Sequence, residues 1–199
     1  PQGVIPGEGP LAAVNCNDYE MTPQFRDYMA YVLRQAAAAC EAAAGSLEPF
    51  RVRTGSGATP PVGSERHTGA LPGGSLTVLQ CRTESGRILT VANFPCHPTV
   101  LGADNLRPSA DFTAGIEGLV GGDMAVFLNG AAGDISTRFT RRESSFAECA
   151  RMGEIAAAHI LSALQDQPFR EPEPLTGIHA RVELMPRPIE PVETAQAAL

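Results

Sequence analysis

From residue 22 the chain carries apolar side chains at helical spacing. Phe25, Met29, Val32, Ala36 and Ala39 recur every three or four positions and so share one face of a helix. Thr22 and Pro23 can start it, since a hydroxyl accepts from exposed amides and proline is tolerated in a first turn. Gly45 is a stop signal, so a helix is expected over 22–44. The period then drops to two. Phe50 and Val52 alternate with Arg51 and Arg53 in a short strand. Residues 76–82 and 87–94 are β-rich runs, and the TESG between them predicts a hairpin in which Gly86 takes the unusual backbone angle. Helical spacing returns over 109–120, and 124–128 reads as a strand. Ser145-Phe146-Ala147-Glu148 opens a second long helix, 145–164, as a capping box. A closing strand is expected over 177–185, where Ile178, Ala180, Val182 and Leu184 alternate with His179, Arg181 and Glu183.

Between these elements, 1–21 is rich in Gly, Pro and Asn and reads as irregular chain. Residues 55–74 form a long Gly/Pro-rich loop carrying Glu65, Arg66 and His67, and long loops within compact domains are often functional. Residues 186–199 read as a Pro-rich linker or cut end. There is no internal repeat. The order strand 87–94, helix 109–120, strand 124–128 is a crossover that makes two parallel strands of one sheet. The expected fold class is therefore α/β, a mixed sheet with a parallel βαβ unit and flanking helices.

Composition narrows the function. At 199 residues, with 43% hydrophobic and 19% charged side chains, the chain can bury a real core and is neither disordered nor fibrous. Its net charge is -7, and the basic residues are scattered, densest at Arg138, Arg141 and Arg142, which argues against a nucleic-acid partner. The long uncharged stretch 88–103 holds two prolines, an Asn and a His, so no transmembrane segment is expected. The chain opens on Pro1 without a basic-then-apolar leader, so a signal peptide is either removed or lies outside this segment. Five cysteines without a C-x-x-C pair leave the redox compartment open, and Cys40 and Cys149, inside helical patterns, are expected as small buried apolar residues.

The chemistry concentrates where the two parallel strands end. Ligands bind beyond the carboxyl ends of such strands. FPCHPTVLG leaves the first strand there and NGAAGDIS leaves the second, so His97 should face the turn holding Asp134 and Ser136. Pro95 and Pro98 lack amide donors, stop the ladder and fix the direction of His97. A rigid imidazole at a strand tip suits a metal ion or catalysis; it equally suits a hydrogen bond to a loop carbonyl. Neighbouring Cys96 points the other way on an extended chain and reads as core. Small residues at Gly130 and Gly133 let a ligand approach backbone amides, although the turn lacks phosphate-loop spacing. Ser136 can serve as a nucleophile or donor and Asp134 can orient a base, or both can simply stabilise the turn. Asp111 in Ser109-Ala110-Asp111 has the position of a helix-start carboxylate. Arg66 can clamp an anionic or carbonyl group or stay solvated. His159 and His179 have no partner at metal spacing and read as packing or surface residues.

In this order and spacing, NFPCHPTVLG (93–102), SADF (109–112) and MAVFLNGAAGDIS (124–136) resemble the neutral/alkaline non-lysosomal ceramidase family, in its amino-terminal catalytic domain. The resemblance covers most of 22–164. It implies that 1–185 is part of a larger layered α/β catalytic fold, a zinc-dependent hydrolase cleaving the amide between a fatty acyl chain and a sphingoid base. It further implies His97 as a zinc ligand, Ser136 as the nucleophile or its equivalent, and Arg66 lining the site. Asp134 and Arg66 are then expected in the catalytic group with Ser136, and Gly130, Gly133 and Asp111 against the substrate. The family holds zinc with two His, a Glu and a Tyr, of which His97 alone can be placed here, so the isolated segment is expected to be inactive. The implied partner is a small-molecule lipid, with peripheral membrane contact left open, and the implied location is secreted or periplasmic. Another metal-dependent amide or ester hydrolase, or a non-catalytic lipid- or sugar-binding module, remains the alternative on the same scaffold.

Overall fold

The structure, a computed structural model, describes residues 23–183 apart from Leu175 and His179. Its elements run α1 (Pro23–Gly45), β1 (Phe50–Ala58), β2 (Ser64–Glu65), β3 (Ser75–Thr83), β4 (Ile88–Phe94), α2 (Thr113–Leu119), β5 (Met124–Asn129), β6 (Ile135–Ser136) and α3 (Phe146–Leu164). Four strands make one sheet in the order β1-β3-β4-β5. β3 is antiparallel to β1 and to β4, and Gly86 in the β3–β4 hairpin has φ +88°. β4 and β5 are parallel, with α2 between them in sequence. The fold is thus α/β with a mixed sheet and a βαβ unit. A separate two-stranded ribbon pairs β2 with β6 antiparallel.

A period of two sends alternate strand residues to one face. Leu76, Val78 and Gln80 of β3 and Thr90, Ala92 and Phe94 of β4 are the buried set. Onto this face pack α2, against β5, and α3, against β1 and β3, with the two helices also touching each other. Ile116 of α2 and Met152, Ala156 and Ile160 of α3 complete the core. Glycines set the closest approaches. A Cβ on Gly55 of β1 would lie 2.0 Å from Ala163 O of α3, and one on Gly115 of α2 would lie 2.8 Å from Gly153 Cα. Among buried polar side chains, Gln80 is satisfied on both sides: Arg53 Nε donates to its Oε1 and its Nε2 donates to Thr90 Oγ1, each at 2.8 Å.

Several elements differ from expectation. β1 extends through Gly55–Ala58, which read as loop, because Gly55 serves strand–helix contact and not a turn. The helix expected from 109 begins at Thr113, since Asp111 has φ +56° and cannot be helical. α1 forms as expected, yet none of its residues is buried and Cys40 is exposed, whereas Cys149 is buried. Periodicity identifies a face and not what covers it. The strand expected over 177–185 is absent from its described residues, 177, 178 and 180–183, where Ile178 and Val182 are exposed. Alternation makes a segment fit for a ladder and supplies no partner edge. On the β1 edge, Arg170 instead exchanges two 2.8 Å backbone hydrogen bonds with Val52. His179, Leu184, Met185, residues 1–22 and the 186–199 tail lie outside the described residues. No helix among the described residues is long and apolar enough to cross a membrane.

Half of the capping box forms. Ser145 Oγ accepts from Glu148 N at 3.1 Å, while the Glu148 carboxylate accepts from Arg151 at 2.6 and 2.7 Å and from Arg142 N at 2.9 Å. The Arg151 guanidinium, helped by the Arg142 amide, holds the Glu148 carboxyl at about 2, below its usual 4.5. A carboxyl depressed by folding stabilises above the unfolded value and loses that contribution as pH falls through the folded one. The stability advantage of the wild type over Glu148→Gln should therefore shrink as pH falls from about 4.5 to about 2, read by urea denaturation. Gly55→Ala should cost about 3 kcal/mol in the same assay at neutral pH, because the atoms it meets are backbone and cannot rotate away. A loss within experimental error would show that α3 is free to shift.

Candidate functional site

Proline decides where the site begins. Pro95 has no amide donor, so the ladder of β4 ends at Phe94. The two strand ends are then held by other groups: Gly130 N donates to Phe94 O at 3.0 Å, and Asn129 Oδ1 accepts from Cys96 N at 3.1 Å. Beyond this break His97 forms an isolated parallel bridge with Ser136, its amide donating to Ile135 O at 3.2 Å. From the other side the β2–β6 ribbon sets Ser64 opposite Ser136 and Glu65 opposite Ile135, and Arg66 N continues the ladder to Asp134 O at 2.8 Å. Residues paired in a rung project to the same face, with Cβ atoms about 5 Å apart. Ser64, Ser136 and His97 therefore stand in a row.

The opposite face of the same rungs is core. Cys96 is 0% exposed and Ile135 is buried, and a Cβ on Gly63 would lie 2.9 Å from Cys96 Sγ. Burial, with the Asp111 charge adding to it, pushes the Cys96 thiol up to about 12, so it is neutral and unreactive near pH 7. Beneath the strand ends, the rings of Phe94, Phe112 and Phe127 pack with centroids 4.8–6.4 Å apart.

Asp111 is 8% exposed and turned toward the backbone. It accepts from Val100 N at 3.1 Å, Leu101 N at 2.9 Å and Phe112 N at 2.8 Å. Expected at a helix start, it instead ties the chain after His97 to the segment entering α2, whose first turn has no side-chain cap. Arg141 Nη1 donates to Thr99 O, and the Thr99 and Thr137 hydroxyls are 3.3 Å apart. The two turn glycines differ. A Cβ on Gly130 would sit 2.9 Å from Pro95 N, whereas one on Gly133 would meet nothing within 4 Å.

His97, Ser136, Asp134 and Arg66 thus lie on adjoining segments. Asp134 is exposed, His97 and Arg66 are half-buried, and Ser136 is 5% exposed with its Oγ accepting from Arg138 N at 3.4 Å. Among the described residues neither Ser64 Oγ nor Arg66 Nε, both buried, has a hydrogen-bond partner. His67 is exposed and His159 Nδ1 lies 2.9 Å from Ile155 O, away from this row. Sequence reading missed Ser64; its one signal was the two-residue spacing from Arg66 inside a segment that read as loop.

Among the described residues no three His, Cys, Asp or Glu side chains are grouped to hold a metal ion. His97 is a single candidate ligand, so these residues alone do not fit a zinc ion. A groove of about 570 Å³ is lined by Phe50, Val52, Leu79, Cys81 and Pro168 among others, and none of the site residues lines it.

No protein-family model matches the chain, and no curated protein matches it. Solved structures that share its fold include two ceramidases. One is neutral ceramidase from Pseudomonas aeruginosa, with TM-score 0.53 and 20% identity over 64% of this chain and 24% of that one. The other is a ceramidase complexed with C2, with TM-score 0.52 and 20% identity over 66% of this chain and 25% of that one. The chain spans about a quarter of the length of each.

The contrast between the turn glycines is open to measurement. Gly130→Ala should lose about 2 kcal/mol or more in chemical denaturation, because it presses on the Phe94–Pro95 backbone. Gly133→Ala should stay within about 0.5 kcal/mol of wild type. Equal losses would show that the turn does not rest on the end of β4.

Proposed function

We propose that the chain is the part of a hydrolase that presents Ser136 and His97 to the amide bond of an N-acyl sphingoid, releasing fatty acid and sphingoid base. The observation that carries this reading is the rung joining His97 to Ser136 at the carboxyl edge of β4 and β5, in a fold shared with neutral ceramidase. Hydrolysis of an amide adds water to the acyl carbon, breaks the C–N bond and leaves a carboxylate and a protonated amine. The barrier is dominated by negative charge growing on the acyl oxygen. Ser136 Oγ and the amides of the 130–134 turn are donors for that oxygen, each worth about 3 kcal/mol when prearranged in a water-poor site. Arg66 is a cation on the adjoining segment and favours the carboxylate product. Asp111 and the prolines keep the His97 backbone in place, so the donors need not reorganise during the reaction.

Zinc belongs to the proposal with His97 as one ligand and the remaining ligands supplied from outside the described residues. Zinc would supply a Lewis acid and a water of lowered pKa. In the full-length protein, His97→Ala should abolish zinc binding, measured by metal analysis, and abolish turnover of an N-acylsphingosine. Full metal content in that variant would remove His97 from the metal site. Ser136→Ala should keep its zinc and lose about a hundredfold or more in kcat. Undiminished turnover by Ser136→Ala would defeat the hydrolase reading of this face. Assays with N-acyl sphingoids beside simpler linear amides and esters separate a ceramidase from another hydrolase on the same scaffold.

A further inference from the structure

All three buried side-chain polar atoms that lack a hydrogen-bond partner among the described residues fall on one connection, 59–66: Thr59 Oγ1, Ser64 Oγ and Arg66 Nε. An unpaired buried donor costs stability, and native folds leave few of them. Elsewhere this chain pairs such groups, as Arg53, Gln80 and Thr90 do in the covered face of the sheet. Ser64 is 1% exposed and stands in the rung beside Ser136, yet no hydrogen bond joins the two hydroxyls. Arg66 follows directly on β2 at the start of a turn, and its amide carries the pairing one step further to Asp134 O at 2.8 Å.

We propose that Ser64 is a ligand-binding residue: its hydroxyl, together with the Arg66 guanidinium, receives the acyl-side oxygen, as the carbonyl of the bound amide and as the carboxylate of the fatty acid released. A hydroxyl and a guanidinium both donate, so the matching ligand atom is an acceptor, and an anionic one is held most firmly. A carboxylate offers two acceptor oxygens to hydroxyls whose Cβ atoms are about 5 Å apart. The inference rests on the reading of the His97–Ser136 face as an acyl site, and it adds to that reading a second serine, one with no part in turn formation.

The test is dodecanoate binding to the full-length protein by titration calorimetry below the micellar range, paired with the ligand-free Tm. Ser64→Ala should bind dodecanoate about tenfold more weakly than wild type. Its ligand-free Tm should be equal or higher, because the change deletes an unpaired hydroxyl. A lower Tm marks a hydroxyl held by the fold or by a buried water and overturns the proposal. Unchanged affinity, or no dodecanoate binding by the wild type, also overturns it. The two readings fail separately: undiminished amide turnover by Ser136→Ala would sink the hydrolase and leave the carboxylate site, whereas undiminished dodecanoate binding by Ser64→Ala would sink the carboxylate site and leave the hydrolase.

Discussion

Parallel pairing of β4 with β5 is the constraint from which the rest follows. Parallel strands need a crossover, here through α2, and the crossover returns the chain so that both carboxyl ends lie on one edge. Two segments far apart in sequence, 95–102 and 130–137, must then leave the sheet side by side. The aromatic trio under that edge makes the arrangement costly to deform, since Phe94 belongs to one strand, Phe127 to the other and Phe112 to the entry of the crossover. Antiparallel pairing would have sent His97 and Ser136 to opposite ends of the molecule.

Past the sheet edge, backbone hydrogen bonding changes character. Regular ladders give way to single bonds supplied by whatever is at hand: the Asn129 side chain for Cys96 N, the Asp111 carboxylate for Val100 N and Leu101 N, and one bridge for His97 N. Each buried amide must find an acceptor somewhere, so these side chains are as much part of the frame as the strands. Asp111 is the costliest of them, held at φ +56° with its carboxylate shared among three amides. A non-glycine residue keeps such a backbone conformation where its surroundings over-determine it. Its work is to hold the segment that follows His97 against the entry to α2.

The hairpin, the crossover and the long helix α3 were legible in the sequence because each announces itself locally, by period, by Gly86 or by Ser145 at a helix start. The meeting of His97 with the 134–136 turn was legible too, because it follows from topology alone. What escaped was whatever depends on a partner. β2 and β6 are two residues each, too short to show a period, and exist only because they face each other across 70 residues of chain. Gly55 read as a loop glycine since sequence does not distinguish a turn from a close helix contact. The stripe of α1 read as core because periodicity is silent on coverage. Asp111 read as a cap by its neighbours in sequence, while its acceptor role answers to amides ten and eleven residues upstream.

Ser64 belongs to this last group, and it sharpens a distinction between polar residues that fold the chain and polar residues that the fold only carries. In the covered sheet face, Gln80 and Thr90 could each be strongly destabilising, and they are not, because each meets the other. On the 59–66 connection the same backbone rules operate, the ladder amides are paired, and yet among the described residues the side-chain donors are left over. A chain that satisfies one buried polar cluster and leaves another open has the chemistry to close the second as well; a single Asn or Gln near Ser64 would do it. That contrast, a local rule kept at one place and left open at another among the described residues, is what the proposed carboxylate site is built on.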